Sequence, residues 1–180
     1  MQLIIRLVGV LSLSVFYGCS GITVNSDYDV STDFSGLKTW SWKQNPPEEN
    51  FDREDDNSLV RRRIQGAIAS ELAEKGFLEI ISGTSDFYVT YHVRTQEKTQ
   101  IQPMPGPFIR PGWGMGYYSE VYQYEEGTLI IDFIDAKTQY LIWRGIAKEV
   151  VDWQQSPEQK TKLIDEAVKE VLAQFPPKRS

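Results

Sequence analysis

The 180-residue chain has one cysteine and one histidine. A single thiol excludes an intrachain disulfide, so an exported domain of this sequence depends on packing alone. With one histidine and one cysteine, a metal site would need several carboxylates, which is not the usual set for zinc. No metal or cofactor is expected. No G-x-S-x-G nucleophile elbow is present. Gly112-Trp-Gly-Met-Gly lacks the G-x-G-x-x-G spacing of a phosphate-binding turn. Basic residues are too few for a nucleic-acid surface: 19 Lys and Arg face 25 Asp and Glu, a net charge of −6. After the first nineteen residues there is no apolar run approaching the roughly 20 residues that span a bilayer.

The N-terminus supplies what is most specific. Arg6 is the only charged residue before a neutral run, Leu7-Val-Gly-Val-Leu-Ser-Leu-Ser-Val-Phe-Tyr, which ends at Gly18 and Cys19. A positive start, a short hydrophobic segment and a small residue at the cut describe a secretory signal peptide. A cysteine at that cut fits the bacterial lipoprotein pattern, in which the thiol takes diacylglycerol and fatty acids such as palmitate complete the anchor. Several acyl chains, at about 0.8 kcal/mol per buried methylene, hold a domain at a membrane. The expected organisation is a signal over 1–18, a lipidated tether over 19–26 and one α+β domain over 27–180. Ser20, where Asp would favour inner-membrane retention, points to the outer membrane and a periplasm-facing domain. Phe16 and Tyr17 depart from the usual lipobox, so an ordinary cleaved signal with a free thiol is the alternative.

The periodicities predict an α+β two-layer sandwich, with an antiparallel or mixed sheet of about five strands and two helices on one face. Tyr28-Asp-Val starts extended, and a strand follows the turn at Ser35-Gly36, ending Trp40-Ser-Trp42. Gln44–Asp56, with two prolines and six acids, reads as a solvated loop before an N-cap at Asn57 or Ser58. Val60, Ile64, Ala67, Ile68 and Leu72 then form a helical stripe closed by Gly76. Arg61, Arg62 and Arg63 fall in the expected first turn, as a solvated face or an anion patch. Phe87, Val89, Tyr91 and Val93 alternate with Tyr88, Thr90, His92 and Arg94, a half-buried strand. Extended residues are expected to resume around Tyr117 to Tyr124, followed by strands over 127–134 and 140–151 joined through Asp135-Ala-Lys-Thr-Gln. Ser156-Pro-Glu-Gln is a capping box, and Leu163 to Phe175 carry the stripe of the second helix.

Asp27-Tyr-Asp, Asp33-Phe-Ser-Gly-Leu-Lys-Thr-Trp-Ser-Trp, Arg63-Ile-Gln-Gly-Ala-Ile-Ala-Ser-Glu-Leu-Ala-Glu-Lys-Gly-Phe and Ser85-Asp-Phe-Tyr-Val-Thr-Tyr-His occur in order. Gly127-Thr-Leu-Ile-Ile-Asp-Phe-Ile-Asp-Ala-Lys-Thr, Trp143-Arg-Gly-Ile-Ala and Phe175-Pro-Pro follow. In these segments the chain resembles the bacterial domain-of-unknown-function family numbered 4136, a set of envelope lipoproteins. The resemblance implies an exported α+β lipoprotein domain and brings no reaction and no catalytic residues.

No catalytic set assembles from the sequence. His92 lies on the polar face of its strand and lacks an evident nucleophile. Asp132 and Arg144 sit on adjoining strands, where a structural ion pair explains both. The best functional candidate is the Gly- and Pro-broken stretch from Gln96 to Met115, together with the residues up to Tyr124. Phe108, Trp113, Met115, Tyr117, Tyr118, Tyr122 and Tyr124 crowd there as a candidate binding loop. They either bind a partner or fold back to cover the open sheet. The expected protein is a lipid-anchored, non-enzymatic binding or assembly module of the cell envelope, contacting an envelope protein, peptidoglycan or a lipid. The alternatives are a hydrolase using His92 with a carboxylate such as Asp132, and a carrier of an apolar ligand between sheet and loop.

Overall fold

A computed structural model describes residues 21–43, 54–110, 114–152 and 154–178; side chains at 54–57, 105–110 and 114–118 are outside the description. The element order is β1 (Thr23–Tyr28), a 3-10 turn at Phe34–Gly36, β2 (Thr39–Trp42), α1 (Glu54–Glu74) and β3 (Leu78–Glu79). Then come β4 (Phe87–Arg110), β5 (Gly114–Asp135), β6 (Leu141–Val151) and α2 (Pro157–Leu172). One six-stranded sheet runs β1-β6-β5-β4-β2-β3. It is mixed: β2 is parallel to β3 and β4, and the other neighbours are antiparallel. Six strands replace the five expected, because the two-residue β3 is too short to show a period.

Alternation decides which side chains meet the helices. Phe87, Val89 and Tyr91 of β4 stand opposite Asp135, Phe133 and Ile131 of β5, and the Phe133 and Ile131 positions stand opposite Trp143 and Gly145 of β6. Onto this face α1 lays Ile64, Ala67, Ile68 and Leu72, and α2 lays Ala167, Val168, Val171 and Leu172, all buried. Phe175, 1% exposed, lies between the helices and the sheet. Its ring centre is 4.5 Å from Phe133, 5.3 Å from Trp143 and 5.4 Å from Phe77. Offset and edge-on aromatic contacts of this kind add about 0.5–1.5 kcal/mol each beyond area burial. The apolar layer thus takes the place of the missing disulfide.

The ends of the elements follow local chemistry. Ser156 accepts from the Gln159 N–H while the Gln159 side chain accepts from the Ser156 N–H, so the expected capping box is formed. Gly76 ends the α1 region at φ 86°, a conformation that favours glycine. Asp135 accepts from Lys137 N, Thr138 N and Thr138 Oγ1, closing the β5–β6 hairpin. Asp86 Oδ2 accepts from Lys38 N, Thr39 N and Thr39 Oγ1, tying the start of β2 to the start of β4.

Three expectations change. Thr23–Ser26 belong to β1, paired with β6, although their polarity suggested tether. The helix α1 starts at Glu54, ahead of Asn57 and Ser58, because the acidic residues there suit the positive end of a helix. Arg61, Arg62 and Arg63 therefore lie beyond its first turn. Gln96–Arg110 and Gly114–Met115 belong to the paired strands β4 and β5 where a loop was expected; residues 111–113 lie outside the described residues.

Candidate functional site

The hairpin is the most unusual part of the molecule. Pairing between β4 and β5 continues from Phe87↔Asp135 to Arg110↔Gly114, with one register shift between Pro105 and Ile109. On the flanks the sheet stops much earlier. The last β6 partner is Val151, opposite Glu125, and β2 reaches only Val89. From Lys98 onward the two strands pair only with each other among the described residues. At about 3.3 Å per residue this ribbon projects about 40 Å. The described backbone of the expected binding loop therefore runs along the ribbon and does not fold back across the sheet. Phe108 lies in β4, and Met115, Tyr117, Tyr118, Tyr122 and Tyr124 in β5; Trp113 falls outside the described residues.

Register assigns the ribbon two faces. Ile101 and Val121 are direct cross-strand partners, 65% and 57% exposed, on the face continuing from the helix side. Tyr122 and Tyr124 occupy the opposite face, across from Gln100 and Lys98. Tyr122 is exposed and Tyr124 half-buried. A hydrogen bond to Glu120 holds the Tyr122 phenol above its ordinary value. Lys98 reaches Glu126 at 3.7 Å.

The two ribbon edges differ. Val89 turns its carbonyl outward to accept from Lys43 N at 2.9 Å. Unbroken alternation gives Pro103 and Pro105 the same outward sense, so neither removes a β4–β5 hydrogen bond. Prolines on this side block strand addition. The β5 side, Gly114 to Tyr124, contains no proline and no lysine. It is an open edge.

The sheet face away from the helices carries the other candidate. Arg144 Nε donates to Asp132 Oδ1 and Nη2 to Oδ2, both at 2.6 Å. Asp132 is 4% exposed. The bidentate bond to Asp132, aided by Asp27, holds the Arg144 guanidinium above its ordinary value. Asp27, Arg144, Asp132 and Thr90 are register partners across β1, β6, β5 and β4, so the row is continuous. His92 Nε2 stands 4.0 Å from Asp132 Oδ2. The separation exceeds hydrogen-bond length, and both carboxylate oxygens already serve Arg144. Thr90 Oγ1, in the same row, is buried without a partner among the described residues. Asp132 thus anchors Arg144, and among the described residues His92 and Asp132 are not hydrogen-bonded to each other. Among the described residues no three His, Cys, Asp or Glu side chains converge as a metal site. Cys19 and the apolar leader lie outside the described residues.

Sequence reasoning found the Asp132–Arg144 pair through strand spacing. It read extended residues around 117–124 but missed their pairing with β4, because residues 96–100 are all polar and prolines follow at 103, 105 and 107. Among the described residues no helix is long and apolar enough to cross a membrane.

Known proteins agree with the architecture. A PDZ domain protein from Parabacteroides distasonis superposes with a TM-score of 0.56 at 15% identity, covering 88% of this chain and 37% of that one. The chain therefore spans little more than a third of that protein. The PelC dodecamer structure from Paraburkholderia phytofirmans gives a TM-score of 0.51 at 10% identity, covering 88% and 99% of the two chains. At these identities the likeness is one of fold. No curated protein matches the sequence. The family model for a domain of unknown function, DUF4136, matches residues 24–177, from β1 past the end of α2. The chain belongs to the DUF4136 family.

Proposed function

We propose that this protein is a non-enzymatic recognition module of the bacterial cell envelope. Lipid on Cys19 holds it at the outer membrane facing the periplasm, and the β4–β5 ribbon binds a protein partner. The observation that carries this reading is the ribbon itself. A two-stranded hairpin is marginal in water without further packing. This one nonetheless leaves Ile101, Val121 and Tyr122 exposed far from the core. Its open β5 edge offers backbone groups to an added strand, and aromatic side chains supply contact area with few rotatable bonds. An edge that reads backbone favours a protein over peptidoglycan as the partner.

Photo-crosslinking in intact cells tests this. A photoreactive residue at Tyr122 is expected to give a discrete protein adduct that the same residue at Ile81, 97% exposed on the β3–β4 connection, does not. Adducts absent at Tyr122, alike at both sites, or formed with glycan alone would overturn protein recognition by the ribbon.

A further inference from the structure

The helices and sheet do not close completely at the base of the ribbon. A cleft of about 120 Å³ opens there between the N-terminal halves of the helices and the sheet. Its walls are Ile64, Leu129, Ala147, Leu163 and Ile164, and almost no polar surface faces into it. An apolar cavity of about 150 Å³ accommodates benzene and excludes water. The interior of the cleft accordingly suits a short stretch of hydrocarbon, while Lys148, Glu149, Asp152 and Lys160 are also among its lining residues.

The course of the chain indicates which hydrocarbon. Glu149 is among the residues that line the cleft. A β-carbon placed on Gly21 would lie 3.0 Å from Glu149 Oε1, so the chain entering β1 passes beside this lining residue. Cys19 precedes Gly21 by two residues, which spans at most about 7 Å. Glu149 Oε1 accepts from Val150 N at 3.1 Å, while its Oε2 is buried with no partner among the described residues.

We infer that the cleft seats the proximal methylenes of an acyl chain carried by Cys19. The inference rests on the lipid-anchor reading and deepens it: the lipid completes the packing of the domain and fixes its orientation at the membrane. Cells expressing the full chain and fed a diazirine-bearing palmitate analogue are irradiated before purification, and adducts are mapped by mass spectrometry. The expected result is analogue on Cys19 with crosslinks to Ile64, Leu129, Leu163 or Ile164. Ala147→Phe and, independently, Leu163→Trp fill the cleft and should remove those crosslinks while Cys19 stays labelled. Labelled Cys19 with crosslinks only to bilayer lipid, or crosslinks unchanged in a folded cleft-filling variant, would overturn the inference and leave the anchor intact. An unlabelled Cys19 peptide would overturn both. Cleft crosslinks in Cys19→Ala would assign the site to exogenous fatty acid instead.

Discussion

A single methyl group at Gly145 should separate α2 from the sheet. The β-carbon of Gly145→Ala would stand 2.3 Å from Val171 Cγ1 and 2.4 Å from Trp143 Cη2. Carbon atoms rest comfortably at about 3.5–4.0 Å, so a neighbour must move by more than about 1 Å. Val171 is 1% and Trp143 0% exposed, and neither can relax into solvent. Overpacking of this kind costs about 1–3 kcal/mol. Both clashing groups are locked, so the upper part of that range applies, about 2–3 kcal/mol. Gly66→Ala is the control, because a β-carbon there meets nothing within 4 Å on an exposed position of α1. Removing a helix-interior glycine should stabilise by about 0.5–1 kcal/mol. Urea unfolding followed by tryptophan fluorescence measures both, and the melting temperature should fall by about 5–10 °C for Gly145→Ala. A Gly145→Ala protein within about 0.5 kcal/mol of wild type would refute the seating of α2 over β6.

Three further outcomes are expected. A double-mutant cycle on Asp132→Ala and Arg144→Ala should give a coupling of about 2 kcal/mol, below the value for a fully buried pair because Arg144 is 42% exposed; a coupling near zero contradicts the anchoring role. Asp86→Asn should destabilise by about 1–2 kcal/mol at pH 7, read from urea midpoints. The backbone N–H bonds from Lys38 and Thr39 hold the Asp86 carboxyl below its ordinary value. Its contribution is therefore present above the unfolded-state pKa and lost as pH falls through the lower folded-state value. Wild type should accordingly lose more stability than Asp86→Asn between pH 5 and strongly acid solution, and equal losses would count against this. Lysine at both Ile101 and Val121 should leave the unfolding free energy from urea titration within about 0.5 kcal/mol of wild type while abolishing the Tyr122 adduct, since both side chains are exposed beyond the core.

The core was legible where one periodicity dominated. Phe87 to Val93 alternate cleanly, the α1 stripe repeats at helical spacing, and Ser156-Pro-Glu-Gln names its own cap. The Asp132–Arg144 pair followed from counting residues on two adjoining strands. The ribbon was obscured because proline reads as a breaker when the side to which its nitrogen points is unknown. Pro103 and Pro105 share an outward parity that only the register reveals. β1 was hidden for a related reason: an edge strand carrying Thr23, Asn25, Ser26 and Asp27 has little apolar pattern. The apolar cleft could not be read at all, since it arises from how two helix stripes and three strands converge. The lipid site, by contrast, rests on the sequence alone.

Shortening the ribbon is the decisive test of its role in recognition. Replacing residues 99–123 with Asn-Gly joins Lys98 to Tyr124, which are register partners, through a turn that favours hairpins. In-cell crosslinking and mass spectrometry of captured neighbours would then compare the shortened and full-length proteins. The expected result is an unchanged urea midpoint with loss of the neighbours captured by the full-length chain. The same neighbours on the shortened, folded protein would contradict recognition by the ribbon.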